Sequence, residues 1–368
     1  MKLLMISTDR KIFDKGSAVA QRQIEYAKKY EEVHIIVFTK KSNKLCKYCG
    51  KSCNNCGKDC GQTVNCGQYC EKAVENLFIY PTNSSSRFSY IFNALALGRF
   101  IAEKRSISHI TCQDPFETGL IGVLIKNRYR VKSTGIAPEL ELQIHTDIGS
   151  SYFQHFNFLN RIRTLISKYT LTRANTVRVV SQRIKDYVKK YIDESKIEIR
   201  PIEVNIDKIK NAQIIPEADL HEKYPQFKKI ILMISRLEKE KNIDGAIRAF
   251  KVVLNKIPDA GLIIVGNGKE KENLIELSKE LKINNDNKKS IIFENWQANI
   301  DILTTYYKTC DIFLNTSWYE GYGMTLKEAE IAGCRIVSTD VGIAREVGAR
   351  VVVWSEEDVA EGVVEVLK

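Results

Sequence analysis

A glycine-rich turn in the second half of the chain has the composition of a phosphate-binding site. The segment EGYGMTLKE follows the apolar run DIFLN. Gly321 and Gly323 permit a tight turn and a close approach of a ligand to the backbone. A helix that begins at Met324 leaves the first amide groups, including that of Thr325, without acceptors inside the helix. Such donors at the positive end of a helix suit a phosphate group.

Charged side chains lie around this turn. Glu320 precedes it, where its carboxylate could reach a sugar, and Glu328 is one helical turn further on, where it could accept hydrogen bonds from a ribose diol. Arg236 and Lys241 follow another apolar run, IILMI, and could converge on one diphosphate, because Arg offers a bidentate fork and Lys a compact charge. Each glutamate alone also suits a solvated loop or a helix N-terminus. The combination with two cations favours a ligand site.

Two weaker signals follow the next apolar runs. Gly266 and Gly268 lie between the run GLIIV and a helical pattern, and their spacing also suits an ordinary turn from strand to helix. Trp296 follows the run IIFEN, where it could lie beside a nucleotide base. An edge aromatic that simply packs is the more common role for such a residue. We count all three as candidate donor-binding residues.

Short apolar runs that alternate with helical patterns predict parallel βαβ units in both halves. The predicted strands are 2–6, 33–38, 77–80, 109–112, 177–180 and 197–200, then 230–234, 261–265, 290–293, 311–315, 335–338 and 351–353. The proline-containing segment 201–225 is the predicted connection. We therefore predict an α/β protein with two Rossmann-like, doubly wound domains, 1–205 and 206–368, that face each other across a cleft. Ligands on such sheets bind beyond the carboxyl ends of the strands.

These motifs resemble glycosyltransferase family 4, whose members are retaining, nucleotide-sugar-dependent enzymes of the GT-B fold. The family's two carboxylates, with seven residues between them, match Glu320 and Glu328, and its Gly-Arg-Leu…Lys element matches SRLEKEKN, with Ser235 in place of Gly. The resemblance implies that Arg236 and Lys241 neutralise the departing diphosphate, that Glu320 holds hydroxyls of the donor sugar, and that Glu328 holds the ribose.

The first half carries fainter parts of the same resemblance. FDKGSAVAQRQ resembles the family's glycine loop, which implies that Gly16 and Ser17 close over the donor phosphates. VVSQRIKDYV resembles a strand end at Ser181. LQIHTD resembles the family's His-Asp element, with Thr146 inserted after His145. The resemblance implies that His145 lies near the transferred sugar and the acceptor.

The implied activity is transfer of a sugar, with retention of configuration, from a UDP- or GDP-sugar to a glycan or lipid-linked acceptor. The resemblance places this reaction in envelope polysaccharide or glycolipid synthesis, and it implies no metal cofactor for catalysis. Two alternatives remain open. One is a nucleotide-sugar epimerase of similar fold, and the other is a non-catalytic scaffold protein that binds nucleotide or metal.

A cysteine-rich insertion at about 40–72 interrupts the alternation of strands and helices. It holds seven of the ten cysteines: Cys46, Cys49, Cys53, Cys56, Cys60, Cys66 and Cys70. Two Cys-x2-Cys pairs, each followed by Gly, have the spacing with which two thiolates grip one tetrahedral ion, and zinc is the usual metal for all-sulfur sites. Inert thiols, a disulfide-bonded loop and a redox role are the alternatives. We expect a structural zinc site.

Positive charge is concentrated in the first half. Residues 1–200 contain 33 Lys and Arg against 18 Asp and Glu, whereas residues 201–368 contain 23 against 27. This asymmetry indicates an anionic partner, but no motif that reads nucleic acid accompanies it. The basic segment 152–171 carries an apolar stripe that we expect to face the core, formed by Phe156, Leu159, Ile162, Ile166 and Tyr169. Its cations could attract anionic lipid. With neither a signal peptide nor a membrane-spanning run, we expect a cytoplasmic protein, in peripheral contact with the inner face of the membrane.

Overall fold

The chain folds into two α/β units. The computed structural model describes residues 1–14, 16–41, 71–74, 76–132, 137–285 and 289–368. The first unit comprises residues 1–149, 154–179 and 184–200, and the second comprises residues 150–153, 180–183 and 201–368. The main division thus falls after Arg200 rather than after residue 205. Two short segments of the first half belong to the second unit, which the simple two-part division of the sequence did not predict.

The first unit is built on an eight-stranded sheet. Its strands are β1 (Lys2–Ser7), β2 (Glu32–Val37), β3 (Glu71–Val74), β4 (Leu77–Pro81), β5 (His109–Cys112), β6 (Glu139–Ile144), β7 (Thr176–Val179) and β8 (Ile197–Ile199). Their order is β3-β4-β2-β1-β5-β6-β7-β8. β3 runs antiparallel to β4, and the other neighbouring pairs are parallel. The order reverses at β1, as expected of a doubly wound sheet.

The helices of the first half connect these strands. They are α1 (Ala18–Ala27), α2 (Ser89–Arg105), α3 (Glu117–Lys132), α4 (Ser151–His155), α5 (Phe158–Leu171) and α6 (Gln182–Val188), with 3₁₀ turns at Arg10–Phe13 and Glu194–Lys196. Helix α3 packs between α2 and α5. The predicted single segment 152–171 is two helices, because Asn157 accepts a hydrogen bond from the Asn160 amide (2.8 Å) and caps α5.

Helix α5 is oriented opposite to the prediction. Of the predicted stripe, Phe156, Leu159, Ile162 and Tyr169 are exposed and Ile166 is half-buried, and Phe158 and Leu165 are exposed as well. The buried residues of the helix are Asn160, Thr164, Ser167, Thr170 and Leu171. The expectation that the apolar stripe faces the core is therefore wrong.

The second unit is built on a six-stranded parallel sheet. Its strands are β9 (Lys229–Ile234), β10 (Ala260–Val265), β11 (Ile291–Glu294), β12 (Ile312–Asn315), β13 (Ile336–Thr339) and β14 (Arg350–Val352). Their order is β11-β10-β9-β12-β13-β14, and neighbouring strands are parallel. Six of the six residues of β10 are buried, which is typical of a strand with helices on both faces.

The helices of the second unit cover both faces of this sheet. They are α7 (Ile206–Asn211), α8 (Leu220–Lys223), α9 (Ile243–Lys256), α10 (Lys271–Glu280), α11 (Ile300–Thr309), α12 (Met324–Ile331) and α13 (Glu356–Leu367), with 3₁₀ turns at Pro216–Ala218 and Lys239–Lys241. Helices α9, α10 and α13 share one apolar core with the sheet. Among the described helices, none is both long and apolar enough to cross a bilayer.

Candidate functional site

Two loops at the carboxyl edge of the second sheet are held together through glycines. A Cβ atom on Gly266 would lie 1.9 Å from the carbonyl oxygen of Ser235, and one on Gly268 would lie 2.1 Å from that of Leu237. The Leu237 amide also donates to the Asn267 carbonyl (3.0 Å). No other residue type fits such close backbone contact. These glycines therefore fix the loop after β9, and their role in donor binding remains a prediction.

The cations of that loop are paired with carboxylates. The Lys241 ammonium forms an ion pair with Glu320, whose Oε1 also accepts a hydrogen bond from Ser317 Oγ (2.9 Å). Both members of this ion pair are largely buried. Arg236 is exposed and donates to Glu240 Oε1 (2.9 Å). The structure thus brings a predicted diphosphate ligand, Lys241, into direct contact with a predicted sugar ligand, Glu320.

The glycine turn after β12 opens helix α12 as the sequence predicted. Gly323 has a φ of +93°, in the left-handed region that favours glycine, and directly precedes Met324, the first residue of α12. The Gly321 carbonyl accepts a hydrogen bond from Ser181 Oγ (3.1 Å). Ser181 belongs to one of the short segments that join the second unit. The first amides of α12 are free of helical acceptors, and they face the same sheet edge as Lys241.

Gly342 is a site residue that the sequence analysis missed. Its φ is +50°, and a Cβ atom there would lie 2.3 Å from the Tyr322 carbonyl oxygen and 3.0 Å from Glu320 Cβ. The Ile343 amide donates to that same carbonyl (2.9 Å). The turn after β13 therefore packs against the glycine turn that carries Glu320 and stabilises it. A Val-Gly pair just after a predicted strand was the signal that could have located it.

Glu328 lies one turn into α12 and is held by a tyrosine. Burial raises the pKa of the Glu328 carboxyl, although a hydrogen bond from Tyr307 Oη (3.0 Å) favours the charged form. Tyr307 is buried on α11. Sequence reasoning missed Tyr307 because a tyrosine within a helical apolar pattern carries no mark of a polar contact.

Eleven predicted site residues lie in the second unit, in loops or a helix start that follow four strand ends. They are Arg236 and Lys241 after β9, Gly266 and Gly268 after β10, Trp296 after β11, and Glu320, Gly321, Gly323, Met324, Thr325 and Glu328 after β12. The carboxyl ends of parallel strands meet at one sheet edge. Trp296 is 51% exposed, which leaves its ring accessible to a ligand.

The remaining predicted residues lie in the first unit. Gly16 has a φ of +82°, and Ser17 caps α1 by accepting a hydrogen bond from the Ala20 amide (3.1 Å). His145 directly follows β6 and is exposed. Partial desolvation of its imidazole, together with the positive charges of Arg178 and Arg22, lowers the pKa of His145. A neutral imidazole is therefore the dominant form at neutral pH.

The predicted zinc ligands Cys46, Cys49, Cys53, Cys56, Cys60, Cys66 and Cys70 lie outside the described residues. Within the described part of the chain, His, Cys, Asp and Glu side chains form no group of three or more that could hold a metal ion. The zinc site remains a prediction from sequence.

Most of the second unit is similar to a known protein family. Residues 217–362 match the family model described as Glycosyl transferases group 1. Alpha-monoglucosyldiacylglycerol synthase of Streptococcus pneumoniae is 26% identical over 263 residues, a match that covers 68% of this chain and 56% of that protein. Poly(glycerol-phosphate) alpha-glucosyltransferase of Bacillus subtilis is 31% identical over 116 residues, covering 32% and 16%. Both matches span less than two thirds of the relative's own length.

Solved structures share the fold across the whole chain. HepE of Anabaena, in complex with UDP and glucose, aligns with a TM-score of 0.63 and 15% identity, covering 100% of this chain and 89% of that one. Trehalose-6-phosphate synthase OtsA aligns with a TM-score of 0.66 and 13% identity, covering 100% and 91%. The predicted GT-B fold of two Rossmann-like domains is therefore confirmed.

Proposed function

We propose that this chain is a retaining glycosyltransferase that moves a hexose from a UDP- or GDP-sugar to a glycan or lipid-linked acceptor. The observation that carries the proposal is the contact of Lys241 with Glu320 beside the glycine turn that opens α12. A cation for phosphate, a carboxylate for sugar hydroxyls and free helix amides lie at the same sheet edge. The match of residues 217–362 to a glycosyltransferase family supports the same activity.

The ion pair keeps the site neutral until a donor binds. Diphosphate oxygens would bind Lys241 Nζ, which frees the Glu320 carboxylate to accept hydrogen bonds from sugar hydroxyls. In the ion pair of Arg236 with Glu240, the Arg236 side chain is 70% exposed and the Glu240 side chain is 19% exposed. Because the guanidinium already meets solvent, Arg236 would turn toward the phosphates when a donor binds. As the bond from the sugar to the diphosphate breaks, these cations stabilise the growing negative charge.

Glu328 would hold the ribose of the donor. Its carboxylate is fixed by Tyr307 Oη (3.0 Å), and its second oxygen can accept from the diol. Burial strengthens such hydrogen bonds, because the surrounding dielectric is low. A Tyr307→Phe variant would therefore bind nucleoside diphosphate more weakly without a change in the protein's charge.

Thermal shift with UDP and GDP tests the donor site. In the presence of a chelator, at least one of the two nucleotides should raise the melting temperature, and Arg236→Ala and Lys241→Ala should each abolish the increase. Lys239→Ala is the matched control, because Lys239 is exposed on the same loop and forms none of these contacts. If neither nucleotide shifts melting of the unmodified chain at millimolar concentration, the donor-site assignment is wrong.

Product analysis separates transfer from the two alternatives. Labelled donor with a lipid or glycan acceptor should yield a glycoside with the donor's anomeric configuration, read by NMR. An epimer that forms without acceptor would indicate an epimerase, and nucleotide binding without hydrolysis or transfer would indicate a scaffold protein. Glu320→Gln should abolish transfer, whereas Glu330→Gln, a change of the same kind on α12, should not.

The acceptor and the location of the reaction belong to the same proposal. Two relatives are named alpha-monoglucosyldiacylglycerol synthase, one from Streptococcus pneumoniae and one from Acholeplasma laidlawii, and this supports a lipid-linked acceptor in glycolipid or envelope polysaccharide synthesis. Such an acceptor is presented at a membrane surface. We place the enzyme in the cytoplasm, with its basic first unit at the inner face of the membrane.

The cysteine-rich insertion is proposed to hold structural zinc. Protein purified without chelator should contain bound zinc, measured by elemental analysis, and Cys46→Ser together with Cys49→Ser should lower the zinc content. Cys112→Ser is the control, because Cys112 is buried in β5. Protein free of zinc and iron would refute a metal site, and transfer activity would be unaffected by that result.

A further inference from the structure

Helix α5 presents an apolar stripe to solvent. Phe158, Ile162, Leu165 and Tyr169 recur at helical spacing and are 76%, 38%, 66% and 39% exposed. Long apolar side chains on a surface helix normally face the core. Contiguous exposed apolar surface of this kind marks an interaction site.

The buried polar face shows that this orientation is built into the fold. Thr164 Oγ1 donates to the Asn160 carbonyl (2.8 Å), and Ser167 Oγ donates to the Thr164 carbonyl (2.8 Å). Thr170 Oγ1 donates to the carbonyl of Pro115, outside the helix (2.6 Å). These buried hydroxyls have hydrogen-bond partners, so burial of the polar face carries no cost from unpaired donors.

Helix α2 adds apolar surface to the same layer. Phe88, just before α2, and Phe92, in its first turn, are 85% and 71% exposed. α2 and α5 pack on either side of α3. Both helices begin after parallel strands and run back along the sheet, so their N-termini lie at the carboxyl edge. Phe88, Phe92 and Phe158 are therefore exposed aromatic side chains at the same end of this helix layer.

The charge around α5 favours an anionic partner. The sequence contains no Asp or Glu between Asp147 and Asp186, a stretch with seven Lys and Arg. Arg161 and Lys168 flank the apolar stripe on the helix surface, and neither forms an ion pair with any described residue. Two copies of this face would oppose like charges in a symmetric dimer, whereas anionic lipid headgroups complement them.

We propose that α5 lies flat on an anionic lipid bilayer. Phe158 and Leu165 enter the boundary between headgroups and acyl chains, while Arg161 and Lys168 bind lipid phosphates, as expected of an interfacial amphipathic helix. The biological role of this binding rests on the proposed function, because a bilayer-bound α5 would bring the enzyme to a lipid-linked acceptor. Binding itself needs no nucleotide, so it is measured independently of the donor site.

Vesicle flotation of the full chain tests this surface. The protein should float with vesicles of phosphatidylcholine that contain 30% phosphatidylglycerol. A much smaller fraction of the protein should float with vesicles of pure phosphatidylcholine. Phe158→Gln with Leu165→Gln should weaken binding roughly tenfold, since two large apolar side chains leave the boundary. Arg161→Gln or Lys168→Gln should each weaken it about fivefold at low salt.

Matched controls keep the result interpretable. Val353→Gln removes an exposed apolar side chain from the second unit, and Lys251→Gln removes an exposed cation from α9; both should bind vesicles as the unmodified chain does. An unchanged thermal shift with nucleotide shows that each α5 variant is folded. The proposal is overturned if the unmodified chain does not bind anionic vesicles, or if the double variant binds them as well as the unmodified chain does. A dimer in light scattering that dissociates in the double variant, without vesicle binding, would assign α5 to self-association instead.

Discussion

Two helices of equal length, α5 and α9, pack in opposite ways. Each has 14 residues and two distinct faces. α9 buries apolar residues, among them Ile247, Phe250 and Val253, and exposes cations such as Lys251. α5 buries mainly hydroxyl and amide side chains, together with Leu171, and exposes most of its aromatic and aliphatic ones. Serine and threonine can be buried because each bonds to a carbonyl of its own helix, so periodicity alone shows two faces but not which of them is inside.

Truncation of one large side chain in each helix should give the largest contrast. Phe250→Ala should lower the free energy of unfolding by about 3–5 kcal/mol, because it empties a volume in a packed core. Leu165→Ala should change it by less than about 0.5 kcal/mol, since the side chain already meets solvent. Urea unfolding followed by circular dichroism measures both. A loss of several kcal/mol in the Leu165 variant would show that α5 packs conventionally in solution.

The turn beneath α5 should make the first unit sensitive to pH. Burial raises the pKa of Asp114 to about 6, whereas an unfolded Asp titrates near ~3.9. The folded state therefore binds the proton more tightly, and stability should be highest below the unfolded pKa and fall as pH rises through about 6. Two pKa units correspond to at most about 3 kcal/mol. No comparably shifted carboxyl touches the buried face of α9 among the described residues.

Asp114→Asn checks this pH effect directly. The amide oxygen can still accept the hydrogen bonds that Asp114 Oδ1 takes from the amides of Phe116 (2.8 Å) and Thr118 (3.3 Å). The variant should match the unmodified chain near pH 4 and exceed its stability above pH 6. Equal stability at both values in urea titrations would mean that the carboxylate is solvated in solution.

Single hydroxyl removals on α5 should have the smallest effects. Thr170→Val should lower the free energy of unfolding by about 1–2 kcal/mol, because it leaves the buried Pro115 carbonyl without its donor. Thr164→Val should be nearly neutral, since Thr164 donates only within its own helix. Urea unfolding of the two isosteric variants measures both changes in the free energy of unfolding. Equal losses would mean that the hydroxyls act through packing rather than through the contact with the α3 turn.

The strands of both sheets were largely predictable, because buried parallel strands are short, continuous apolar runs. β5 was predicted at its observed bounds, and the strands of the second unit shifted by only a residue or two. β6 was missed. Its sequence, ELELQI, carries two carboxylates within the strand. The Glu141 carboxylate is tolerated in the sheet because Thr111 Oγ1 on β5 donates a hydrogen bond to it (2.9 Å). A cross-strand partner of this kind is invisible in a single segment.

The residues of the candidate site also differ in how far the sequence could predict them. Glu320, Lys241 and the glycine turn could be predicted, because each follows directly from residue type and from the end of a strand. Tyr307 and Gly342 could not, since each acts through a residue that is distant in sequence. The prediction of which face of α5 is buried failed for the same reason. The Pro115 carbonyl accepts a hydrogen bond from Thr170 only after the chain has folded.

The glycine contacts between the first two loops of the second sheet have a consequence for engineering. The Leu237 backbone is clamped at both its amide and its carbonyl, by Asn267 (3.0 Å) and by the amide of Glu270 (3.1 Å), while the neighbouring Arg236 side chain is 70% exposed. The loop backbone is thus fixed, while the Arg236 guanidinium is held by a hydrogen bond to Glu240 (2.9 Å). The proposed contact of Arg236 with phosphate would therefore require rotation of its side chain but no loop rearrangement. A methyl group at Gly268 would displace the Leu237 backbone. Such a substitution would disturb the position of Arg236 without changing any charge.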